Sequence, residues 1–137
     1  VETTVQKSVE MLGGMTHVKK DDLVVIKPNV CFPKNLENMI TTDLTVLETV
    51  IGLAKQKTKN VVVVESDSAS GMAEKKAAGT GVLDLVKKCD VEFFNLSHDE
   101  VEEQRVADLP ILIPKTVLKA DYFINQSFIN RRAKQTT

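Results

Sequence analysis

Apolar residues recur along this chain in two alternating rhythms, and the alternation predicts its elements. Val1, Val5, Val9 and Leu12 fall at helical spacing and run into Gly13-Gly14, which predicts an amphipathic helix ending there. Leu23-Val24-Val25-Ile26 is a continuous β-branched run too short for a helix. It reads as a buried strand closed by Pro28, which cannot donate to a sheet ladder. A long connection follows from Pro28 to Thr42, broken by Pro33, Asn35 and Asn38, and connections of that length inside compact domains are often functional. Leu44, Leu47, Val50, Ile51 and Ala54 form the stripe of a second helix starting near Asp43. Val61 to Val64 has no polar alternation, which predicts a strand buried on both faces.

After the small, polar stretch Glu65 to Gly71, the pattern predicts a helical turn at Ala73 to Ala78 and a helix over Val82 to Lys88. Val91, Phe93 and Phe94 mark a third strand. His98 to Arg105 reads as an exposed polar segment. A short strand at Ile111 to Ile113, a helical turn at Thr116 to Lys119 and a final strand at Tyr122 to Ile124 complete the pattern. Apolar strands alternating with helices predict one α/β domain over residues 1–137, with an open, mainly parallel sheet and helices on both faces. That is a Rossmann-like three-layer arrangement.

Composition narrows the function classes. With five Phe, one Tyr and no Trp, the core must rest on Val, Ile and Leu. A net charge of −1 argues against nucleic-acid partners, which need clustered cations; Arg131, Arg132 and Lys134 read as a solvated cluster. Cys31 and Cys89 have no ligand spacing and build no disulfide framework, so a reducing, cytoplasmic setting is expected. The lack of a signal-like segment or a long apolar run predicts a soluble chain without a membrane partner.

Ligands of open parallel sheets bind beyond the carboxyl ends of the strands, so the loops there hold the candidates. Lys27-Pro28-Asn29 places an amide at a rigid strand end, either as a clamp for a ligand oxygen or as a turn in which Asn29 bonds its own backbone. Thr41-Thr42-Asp43 precedes a helix, either as an anion site or with Asp43 capping the helix amides. In Glu65-Ser66-Asp67-Ser68-Ala69-Ser70-Gly71, the two carboxylates suit a divalent cation or a hydroxyl, and the serines suit a phosphate. A plain polar turn explains the segment equally well. The dinucleotide, P-loop and nucleophile-elbow glycine patterns are all missing, and His17 and His98 have no metal spacing.

The order of these motifs resembles a known family. Ile26-Lys27-Pro28-Asn29 after a strand, Thr41-Thr42 before a helix and Val63-Val64-Glu65-Ser66 at the next strand end are similar to the domain of unknown function DUF362. Met11-Leu12-Gly13-Gly14 through Asp22-Leu23-Val24-Val25, and Ala120 to Asn125, are similar too. The resemblance implies a longer domain, of which this chain is a portion, and relatives joined to ferredoxin-like iron–sulfur segments. It implies no settled reaction or cofactor. Leu44 stands where the family commonly has Pro, and Gln126 to Arg132 replaces a Pro-Lys-x-Lys-Thr-His-like stretch.

Two functions compete. In the first, the chain binds a small anionic metabolite, with or without a divalent metal, in a redox-linked reaction. Lys27, Asn29, Thr41, Thr42, Ser66, Ser70 and Asn125 would contact the ligand, and Glu65 or Asp67 would act as base or metal ligand. In the second, the chain is a non-catalytic module docking an electron-transfer partner or a second copy through Phe32, Leu36, Met39 and Ile40. A third reading, a scaffold remnant without independent activity, needs no site at all.

Overall fold

The structure, a computed structural model, describes residues 1–34 and 41–127. Its elements run α1 (Glu2–Met11), β1 (Val24–Pro28), α2 (Leu44–Lys55), β2 (Val61–Glu65), α3 (Ala73–Gly79), α4 (Val82–Lys88) and β3 (Glu92–Asn95). A 3-10 turn at Leu96–His98 follows, then β4 (Val101–Val106), β5 (Leu109–Pro114), α5 (Lys115–Leu118) and β6 (Tyr122–Gln126).

The β-branched runs pair as their patterns demand. β1 and β2 lie side by side and parallel in the middle of a four-stranded sheet of order β3-β2-β1-β6. Val24, Val25, Ile26, Val63 and Val64 are wholly buried. Alternate residues face opposite layers. Val24, Ile26, Val61 and Val63 meet Leu47, Val50, Ile51 and Ala54 of α2 and Val82 and Val86 of α4. Val25, Val62 and Val64 meet Leu96, Val117 and Ala120, so the opposite layer is the 3-10 turn and α5. This is a three-layer α/β fold with one thick helical layer and one thin one. At the edge, β6 is covered on one face only: Tyr122 and Ile124 pack on the helical layer, while Phe123 and Asn125 are exposed.

Strand order marks a switch point between β1 and β6. The chain steps outward from β1 to β2 to β3, then returns to pair β6 on the other side of β1, and such a reversal opens a gap at the strand ends. Thr42 pins that gap. Its hydroxyl accepts from Asn29 N at 2.8 Å and donates to Gln126 O at 2.9 Å, and its own N–H bonds Asn29 O at 3.0 Å.

The polar segment His98 to Arg105 is mostly exposed, as expected, but it carries a strand that was not expected. Most of it is β4, paired antiparallel with β5 in a separate two-stranded hairpin. β5 is itself longer than the three residues expected, and the two-residue turn Ala107-Asp108 joins the strands. Both turn residues have positive φ, at 48° and 64°, the hairpin geometry that suits twisted strands.

Gly79 sets a close approach between α3 and the loop after β1. A Cβ added there would lie 1.8 Å from Pro33 O and 2.8 Å from Pro33 C, so the β1 loop rests directly on the end of α3. In an open helix, Gly→Ala would stabilise by about 1 kcal/mol. Here the collision is with backbone and outweighs that gain, so Gly79→Ala is expected to destabilise by about 1–3 kcal/mol in urea titration. A neutral or stabilised variant would mean that the loop does not depend on this contact.

Candidate functional site

Two loops and one helix converge at the carboxyl ends of β1 and β2. Lys27, Asn29, Val30, Cys31 and Phe32 come from the first strand and its loop, Glu65, Ser66, Ser68, Ala69 and Ser70 from the second, and Lys76 from α3. They line an open crevice of about 570 Å³.

Glu65 is the pin. It is 5% exposed, and its carboxylate accepts from Ser66 N at 2.9 Å and from Val30 N at 3.1 Å. The Lys27 ammonium lies 3.1 Å from Oε1. The carboxylate therefore ties both loops together, and its lone pairs are largely occupied. Ser70 completes the closure by donating its hydroxyl to Cys31 O. The loop between them turns tightly on itself: Ser68 N bonds Gly71 O at 3.1 Å, and Gly71 N bonds Ser68 O at 2.9 Å.

Lys76 is the residue that sequence reading misses. It is 2% exposed, at the base of the crevice. Its Nζ donates to Ser66 O and Ser68 Oγ, each at 3.0 Å. Both acceptors are neutral, and no described carboxylate lies within ion-pair distance of it. An ammonium has three donors, so one N–H remains for a ligand. The signal was present, because Ala73, Lys76 and Ala77 fall at i, i+3 and i+4 and share the buried face of α3. Glu74 and Lys75 beside it disguise the position as a solvated charge run.

Asp67 turns away to a different duty. It is exposed, and Oδ1 accepts from Ala73 N at 2.8 Å and from Asn95 Nδ2 at 2.9 Å. Asn95, 3% exposed at the end of β3, also donates to Glu74. The Ala73 N–H, then the Asn95 amide, and more weakly the charges of His98 and Lys76 hold the Asp67 carboxyl below its usual pKa. A lowered folded value means that this contribution is complete above the unfolded carboxylate pKa and is lost as pH falls through the folded one. The start of α3 should therefore loosen only below the usual carboxylate range. Asp67→Asn should remove that increment in stability–pH profiles; an unchanged acid limb would refute the assignment.

The remaining candidates divide. Asn29 and Ser66 line the crevice with Lys27, and the Asn29 carboxamide oxygen accepts from Cys31 Sγ at 3.3 Å. Thr41 and Thr42 are buried. Asp43 caps α2 by accepting from Thr45 N at 2.8 Å and Val46 N at 3.2 Å, so the helix amides there are taken. Asn125 pairs beside Lys27 at the same end of the sheet but stands exposed. Phe32 is 45% exposed; Leu36, Met39 and Ile40 lie outside the described residues. Among the described residues no group of three or more His, Cys, Asp or Glu is placed to hold a metal, and no helix is long and apolar enough to cross a membrane.

Residues 24–129 match the family described as Domain of unknown function (DUF362). The chain belongs to this family. The DUF362 match opens at β1 and takes in every crevice residue, whereas the similar lead-in Met11 to Gly14 falls before it. No curated protein and no solved structure matches this DUF362 chain.

Proposed function

We propose that this chain binds a small anionic ligand in the crevice beyond β1 and β2, with Lys76 as the charge that receives it. The observation that carries the reading is a buried ammonium whose partners are two neutral oxygens, at the floor of an open cavity. Burying a charge is costly unless something compensates it, and Lys27 is already compensated by Glu65. An anionic ligand at Lys76 supplies the missing partner. Asn29, Ser66 and Ser68 offer the remaining polar contacts, while Val30, Phe32 and Ala69 give the cavity an apolar wall.

The loops are held before any ligand arrives, by Glu65, by Ser70 and by the Asp67 contact to α3. Such preorganisation lowers the ordering cost of binding. The reading is tested by thermal unfolding in phosphate, sulfate, acetate, oxalate and benzoate at matched ionic strength. A saturable rise in Tm with at least one of these anions is expected, since a ligand at 100 times its Kd stabilises by about 2.7 kcal/mol. If every anion behaves as chloride does up to about 50 mM, the reading fails.

A further inference from the structure

The β4–β5 hairpin stands apart from the main sheet, and its composition is unusual for an exposed arm. Leu109 (67%), Leu112 (64%), Val106 and Val101 are all largely exposed. A two-stranded hairpin is marginal by itself and is stabilised by further strands. The two edges are not equivalent. The two-residue turn makes Val106–Leu109 the hydrogen-bonded closing pair, so N–H groups at alternate positions from there point away from the hairpin. On β5 those outward positions are Pro110, Leu112 and Pro114, and two of the three have no N–H to give. On β4 they are Val101, Glu103 and Arg105, all able to pair. Among the described residues one edge is therefore blocked and the other is open.

We propose that the open edge of β4 pairs with β4 of a second copy of this chain, antiparallel about a two-fold axis at Gln104. The charge pattern selects both occupant and register. Two identical antiparallel strands can only place residues of the same parity opposite each other. With Gln104 on the axis, Glu103 faces Arg105 of the second copy, and the same pair recurs by symmetry. With Glu103 on the axis, like carboxylates meet; with Arg105 there, like cations meet, and both are unfavourable. The self-complementary register joins two hairpins into a four-stranded sheet bordered by the proline-bearing β5 edges. It is independent of the anion crevice.

Sedimentation equilibrium of the chain over a concentration series tests this. A reversible dimer with a dissociation constant on the order of 100 µM is expected, as suits a small interface. Arg105→Glu and Glu103→Arg each replace attraction by repulsion at both symmetric pairs, and each should weaken the dimer by about tenfold or more. The double variant Glu103→Arg/Arg105→Glu exchanges the charges and should restore it. Circular dichroism of each variant establishes that the hairpin still folds. A wild-type chain that stays monomeric to about 1 mM overturns the proposal. So does a dimer indifferent to the single reversals, or one that the double reversal fails to rescue.

Discussion

Lys76→Met is expected to abolish anion-dependent stabilisation while leaving the ligand-free protein as stable as before, or more so. On the proposed reading the two effects part, because the buried ammonium would serve the ligand more than the fold. Its two hydrogen bonds go to Ser66 O and Ser68 Oγ, and Ser68 Oγ keeps Ser70 Oγ at 2.8 Å as a second partner. Methionine fills a similar volume without a charge to desolvate, and replacing buried charges by apolar residues of like size is often neutral or stabilising by about 1–4 kcal/mol. Removing the charge that meets a buried anion costs binding about 2–5 kcal/mol, a factor of about thirty or more in Kd. If Lys76 is only a tether for the serine loop, the opposite pattern appears: the variant loses stability, and whatever anion response the wild type shows persists. Urea titration with and without the best anion separates the two. Lys76→Arg is a further control, because a guanidinium keeps the charge but is too large for this floor, so binding should not be fully recovered.

What could be read from the chain beforehand follows from where burial leaves a pattern. Val61 to Val64 has apolar residues on both faces of a strand, and only a position inside a covered sheet uses them. Hence the parallel core was legible, along with the rim holding Lys27, Asn29 and Glu65. The family likeness rested on the same strand ends, and the matched span contains them. β4 left no such trace. Both its faces are open, so Val101-Glu102-Glu103-Gln104-Arg105-Val106 has no reason to alternate, and Ala107-Asp108 is not the Asn-Gly turn that announces a hairpin. Asp43 shows a different limit. Composition admits either a capped helix or an anion site, and only geometry decides that its carboxylate holds the first amides of α2. Lys76 and Asn95 escaped because a buried polar residue looks like an exposed one until its neighbours in space are known.

Glu65→Gln is expected to destabilise the fold by about 2–4 kcal/mol, although the substitution keeps shape and volume. The carboxylate presents acceptors on both sides: Ser66 N meets Oε1, Val30 N meets Oε2, and Lys27 Nζ reaches both, at 3.1 and 3.4 Å. A carboxamide has one oxygen and one NH₂ group, so in either orientation an N–H donor faces a backbone N–H. Rotating the amide moves the conflict from one loop to the other without removing it. The group that loses its partner is buried at Val30 and part-buried at Ser66, and leaving such a donor unsatisfied costs about 1–3 kcal/mol; the weakened hold on the Lys27 ammonium adds to this. A carboxylate acting as the reacting base would behave otherwise: Glu65→Gln would leave the midpoint of urea unfolding in place and remove only turnover. Equilibrium unfolding of the ligand-free variant therefore decides between a pin and a catalytic base. A loss below about 0.5 kcal/mol would mean that the two loops are held by something other than Glu65.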